Sequence, residues 1–80
     1  MTIKLLAFGV ARDILGGSER MVELEDVHNI AQLKDYLCDQ YAEFSQLRSF
    51  SMAVNEEYRD DDFAISHGDE VVVIPPVSGG

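Results

Sequence analysis

Two short runs, Thr2–Phe8 (TIKLLAF) and Glu70–Ile74 (EVVVI), place large apolar side chains on both faces that a β-strand presents. A chain of 80 residues has room for a single core, because at this size folding removes only about 60% of the unfolded surface from water. Both runs therefore belong at the centre of one sheet, and the remaining elements must supply what covers them.

The clearest of those elements is Ile30 to Tyr41, where Ile30, Leu33, Leu37, Cys38 and Tyr41 fall on one helical stripe. Asn29 is placed to cap it, with Gln32 as the capping-box partner. Gly9 ends the first strand, Val10–Leu15 has room for one or two helical turns, and Gly16-Gly17 supplies a turn. Glu19–Leu24 alternates in part, with Val22 and Leu24 on one face, and predicts a second strand. Residues 42–50 lack clean periodicity and are expected to form a loop that packs Phe44, Leu47 or Phe50. Ser51–Asn55 and Tyr58-Arg59 flank a tight turn at Asn55-Glu56-Glu57, and His67-Gly68-Asp69 marks another, with His67 a solvated turn residue.

The order is strand, strand, helix, strand or strands, and a final strand. If the first and last strands lie side by side, the long connection through the helix makes them parallel. The expected class is α+β, a mixed sheet curled around one main helix, which is the β-grasp arrangement of ubiquitin. The domain is expected over residues 1–76, with an extended tail over 77–80.

Alternation divides the two central strands into Ile3, Leu5, Val71 and Val73 on one side and Leu6, Phe8, Val72 and Ile74 on the other. One helix covers one side only, and either set can face it. The other should then stay partly exposed as an interface, unless the 42–50 segment or the short first helix covers it.

Composition narrows the function. Fifteen acids against six basic residues give a net charge of −9, which disfavours binding a phosphate backbone and argues against nucleic acid as a partner. Residues 51–80 hold seven acids against Arg59, so −6 of that charge lies there, and a partner of that end should be basic. Asp60, Asp61 and Asp62 can equally be a solubilising surface. The lone Cys38 can form no internal disulfide, and with His28 and His67 it cannot complete a zinc site, so no metal is expected. Cys38 reads as a core residue. Leu5–Ala11 is far short of a membrane span of about 20 residues, and no leader is visible before it; a cytoplasmic setting without membrane contact is expected.

The chain ends IPPVSGG. Pro75 and Pro76 lack backbone donors and stop sheet pairing. Val77, Ser78, Gly79 and Gly80 can then extend about 14 Å as an arm, and two residues without Cβ can thread a narrow channel. A carboxylate at Gly80 becomes reactive if ATP adenylates it, after which a sulfur donor can displace AMP to leave a thiocarboxylate.

Phe8 in the first strand, Ala11-Arg12-Asp13-Ile14-Leu15-Gly16, the helix opening at Asn29, Ala53-Val54-Asn55, Gly68-Asp69-Glu70-Val71 and Pro75-Pro76-Val77-Ser78-Gly79-Gly80 together resemble the small subunits of molybdopterin synthase along nearly the whole chain. The resemblance implies that Gly80 is adenylated by a ubiquitin-activating-type enzyme, which uses the ATP, and is then thiocarboxylated. It implies insertion of Val77–Gly80 into a large subunit that converts cyclic pyranopterin monophosphate to molybdopterin, in a heterotetramer. Phe8, Tyr58, Ile74, Pro75 and Pro76 would contact that partner, and the small subunit would bind no cofactor and be catalytically inert alone. Asn29, where many relatives have Thr or Ser, and the acidic Asp60–Asp62 depart from the pattern. Sulfur carriage to thiamine, cysteine or a tungsten cofactor, protein modification through Gly80, and an interaction domain with an idle tail are the competing expectations.

Overall fold

The computed structural model describes residues 1–46 and 50–75. Its elements in chain order are β1 (Thr2–Ala7), α1 (Gly9–Leu15), β2 (Glu19–Glu23), α2 (Ile30–Gln40), α3 (Ala42–Ser45), β3 (Ser51–Val54), β4 (Glu57–Arg59) and β5 (Glu70–Ile74). They form a five-stranded mixed sheet in the order β2-β1-β5-β3-β4. The two most apolar strands, β1 and β5, lie side by side and parallel, with Leu5 opposite Val71 and Ala7 opposite Val73. All other pairings are antiparallel.

The helices settle which face is covered. Ile3, Leu5, Ala7, Val71 and Val73 are buried in one cluster with Ile30, Leu33 and Leu37 of α2, Ala11 and Leu15 of α1, and Phe44 of α3. Burial of each large side chain in such a cluster contributes about 1.5–3 kcal/mol. Neither α1 nor residues 42–46 cover the second face, because their buried side chains join α2 on the first.

The first strand stops one residue early. Phe8 is extended and stands at the N-cap of α1, and Gly9 at φ 57° opens that helix instead of ending the strand in a loop. The segment after α2, expected to be irregular, contains the single helical turn α3, which buries Phe44 completely and brings its ring to 5.4 Å from that of Phe50. One turn has no period for a sequence to show. Leu47, the third residue considered for that packing, lies outside the described residues. Cys38 is half-buried and packs at the edge of the cluster, not on the fully buried stripe with Leu33 and Leu37. It is one helical step of 100° from Leu37, which puts it on the shoulder of the helix.

Local chemistry fixes the frame around α2. The Gln32 N–H donates to Asn29 Oδ1 at 2.8 Å, while Gln32 Oε1 accepts from the His28 N–H at 2.7 Å, a capping box displaced by one residue. The N–H groups of Ile30 and Ala31, which have no partner inside the helix, donate to the carbonyls of Phe63 and Asp61. Asn55 and Glu56 both have positive φ, 50° and 74°, as a two-residue hairpin turn requires. The Asn55 side chain accepts from the Glu70 N–H and donates to Asp69, whose other carboxylate oxygen accepts from the Ser66 N–H. Asn55 and Asp69 thus lock the β3–β4 hairpin to the entry of β5. Among the described residues no helix is long and apolar enough to cross a membrane.

Candidate functional site

Because residues opposite each other in register share a face, the uncovered side of the sheet can be laid out strand by strand. Leu6, Val72, Ala53 and Tyr58 form one row across β1, β5, β3 and β4. Ile74 lies one pleat further along β5, opposite Ser51, and the extended Phe8 continues the parity of Leu6 at the end of β1. Phe8 is 60% exposed and Tyr58 72%. Leu6, Val72, Ile74 and Pro75 are half-buried with no helix above them.

The other end of the same face is polar. Lys4 stands between Met21 of β2 and Glu70 of β5, and Thr2 stands opposite Glu23. Lys4 pairs with Glu19 at 3.7 Å. The Thr2 hydroxyl donates to Glu23, and chiefly this bond holds the Glu23 carboxyl below its usual range. Partial desolvation opposes the shift, and the Met1 ammonium 3.7 Å away assists it. The open face therefore grades from charged to apolar in the direction in which β1 and β5 both run. At its apolar end stand Phe8, Ile74 and Pro75, where β5 hands over to the last residues of the chain.

The structure thus brings Phe8, Tyr58 and Ile74 onto one face and puts Pro75 at its margin. Pro76, Val77, Ser78, Gly79 and Gly80 lie outside the described residues. Leu6 and Val72, which strand parity had already grouped with Phe8 and Ile74, lie on this face, and the buried Ala53 lies between Val72 and Tyr58 in the same row, a position the sequence reading had not assigned. Asp61 has a structural task that the sequence did not show. Its carbonyl accepts from the Ala31 N–H, and its carboxylate accepts from Lys34 at 2.7 Å. His67 is exposed as expected, yet its Nδ1 accepts from the Thr2 N–H at 3.0 Å. Among the described residues no group of three His, Cys, Asp or Glu side chains could hold a metal ion.

A mixed sheet that grips one long helix on one side, with no helix of the described residues on the other, defines a ubiquitin-like β-grasp domain. The chain belongs to the ThiS family, whose profile matches residues 5–80. It is 37% identical over 83 residues to the molybdopterin synthase sulfur carrier subunit of Chlamydomonas reinhardtii, covering 100% of both chains. Among solved structures, the candidate molybdopterin converting factor subunit 1 of Pyrococcus furiosus superposes with a TM-score of 0.84 at 24% identity, over 96% of this chain and 99% of that one. A chain of the Helicobacter pylori complex of subunits 1 and 2 of molybdopterin-converting factor superposes with a TM-score of 0.67 at 21% identity, over 100% of each.

Proposed function

We propose that this protein is the sulfur carrier subunit of a molybdopterin synthase, with the Gly80 carboxylate as its working group. The full-length likeness to a named carrier subunit carries the reading. In support, the apolar half of the open face ends where β5 passes into the tail, so a partner seated on Phe8, Tyr58, Ile74, Pro75 and Pro76 would also receive Val77–Gly80. That partner is the large subunit of the synthase, and the assembly is a heterotetramer in the cytoplasm.

The chemistry runs in two stages. A ubiquitin-activating-type enzyme transfers AMP from ATP to the carboxylate, releasing pyrophosphate. Hydrosulfide or an equivalent donor then attacks the acyl carbon and expels AMP, leaving a thiocarboxylate. Inside the large subunit the thiocarboxylate sulfur displaces an oxygen substituent of cyclic pyranopterin monophosphate, and water then cleaves the acyl–sulfur bond, leaving sulfur on the pterin and a carboxylate again at Gly80. The carrier contributes reach, a tail narrow enough to enter, and a docking face; it binds no cofactor itself. With the net charge of −9, the cations that hold a phosphorylated substrate belong to the partner.

Intact-mass measurement after incubation with the cognate activating enzyme, ATP and sulfide tests this. One oxygen should be replaced by sulfur, with fragmentation placing the change on Gly80. An unchanged mass, or lysine-linked adducts in its place, contradicts the carrier reading.

A further inference from the structure

Within the docking face, Tyr58 has a chemistry of its own. Its ring is the most exposed of the large apolar side chains among the described residues. It stands on the edge strand β4 opposite the small Ala53. Five acids lie within four residues of it, Glu56, Glu57, Asp60, Asp61 and Asp62.

Two of these acids, Glu57 and Asp61, are paired with the nearby cations, which leaves Glu56, Asp60 and Asp62 without an ion-pair partner among the described residues. Arg59, the next residue and so on the opposite face of the strand, pairs with Glu57 and lays its guanidinium 4.5 Å from the centre of the Phe63 ring. Lys34 pairs with Asp61. Lys4, on the open face but on β1, pairs with Glu19. Tyr58 therefore offers an aromatic face, whose quadrupole attracts cations, in a negative field that among the described residues no cation of this chain occupies. The net charge of −9 favours a basic partner for this surface.

We propose that Tyr58 receives a cationic side chain of the large subunit, an arginine laid flat on its ring, and that this contact selects the partner. Arginine fits better than lysine because the guanidinium is planar and weakly hydrated, so it stacks at a smaller desolvation cost. Arg59 on Phe63 shows the same pairing inside the chain. The proposal rests on the reading that the open face docks on the large subunit, and it names the chemistry of one part of that contact.

Titration calorimetry of the cognate large subunit against Tyr58→Phe, Tyr58→Trp and Tyr58→Leu at one salt concentration tests it. Phenylalanine keeps the ring and should bind within about twofold of the native protein, tryptophan at least as tightly, and leucine about three- to thirty-fold more weakly. Leucine binding like the native protein would show that the ring is idle. Phenylalanine as weak as leucine would assign the contact to the hydroxyl, and either result overturns the proposal. Equal melting temperatures across the series would show that the fold is unaffected. Phe8→Glu in the same titration separates the two layers of the argument: native-like binding there overturns the docking face itself, whatever the Tyr58 series gives.

Discussion

The two faces of β1 and β5 are made of similar side chains and meet opposite fates. Ile3, Leu5, Val71 and Val73 lie fully buried under α1, α2 and α3, whereas Leu6, Val72 and Ile74 are only half covered and Phe8 stands free. Apolar content alone therefore does not identify a core. The helices reach one side, and on the other side the same residue types remain at a partly exposed surface, the kind of patch that marks an interface. In a domain this small, folding is assigned to one face, and the association proposed above is assigned to the other.

Substitutions that exchange the roles of the faces should break this comparison most sharply. Leu5→Asp would put an unpaired carboxylate in the cluster at a cost of several kcal/mol, comparable to the whole stability of a small domain. Circular dichroism should find no folded population, and a cooperative melt near that of the native protein would contradict the assignment of faces. Phe8→Glu is as drastic a change in chemistry, but it falls on the open side at a residue that caps α1 through its backbone only. Its melting temperature should stay within a few degrees, while affinity for the large subunit falls by about 2–4 kcal/mol. Unfolding of this variant would show that Phe8 belongs to the core.

The smallest expected effect lies at the polar end of the open face. Glu23 has its carboxyl held below its ordinary value of 4.5, chiefly by the Thr2 hydroxyl. A lowered folded-state value means that the unfolded chain takes up the proton first. The contribution is therefore present above pH 4.5 and is lost as pH falls through the lower folded value. Comparing melts of the native protein and Glu23→Gln between pH 6 and pH 2 should show the difference shrinking below pH 4.5. A difference that does not change with pH would remove the charged Thr2–Glu23 contact from the account.

Much of this architecture was legible in the sequence because it follows from period and punctuation. The α2 stripe, the Asn29 cap, the turn at Asn55 and the central position of β1 and β5 each have a local signature. The choice of face was also written there, in residues the apolar pattern passes over. Thr2 and Lys4 share the parity of Leu6, and Glu70 shares that of Val72, so the polar members of each strand mark its outer side. What could not be read depends on distant partners. Phe44 is buried by a helix of one turn, and the Asp61 carbonyl closes the N-terminus of a helix some thirty residues earlier. Among the proposed site residues, parity grouped Phe8 with Ile74, Tyr58 came in through the resemblance, and Gly80, read from its chemistry and from the resemblance, lies outside the described residues.

In the proposed function, docking belongs to the sheet face and sulfur transfer to Gly80. Deleting Gly80 should leave the sheet face untouched but withdraw the reactive carbon by about 3.5 Å, far more than the misplacement of about 1 Å that can already cost a hundredfold in rate. The decisive measurement sets the affinity of this variant for the large subunit beside the conversion of cyclic pyranopterin monophosphate by the reconstituted synthase, with activating enzyme, ATP and sulfide present. Measurable binding and no conversion are expected. Full conversion without Gly80 would contradict this assignment.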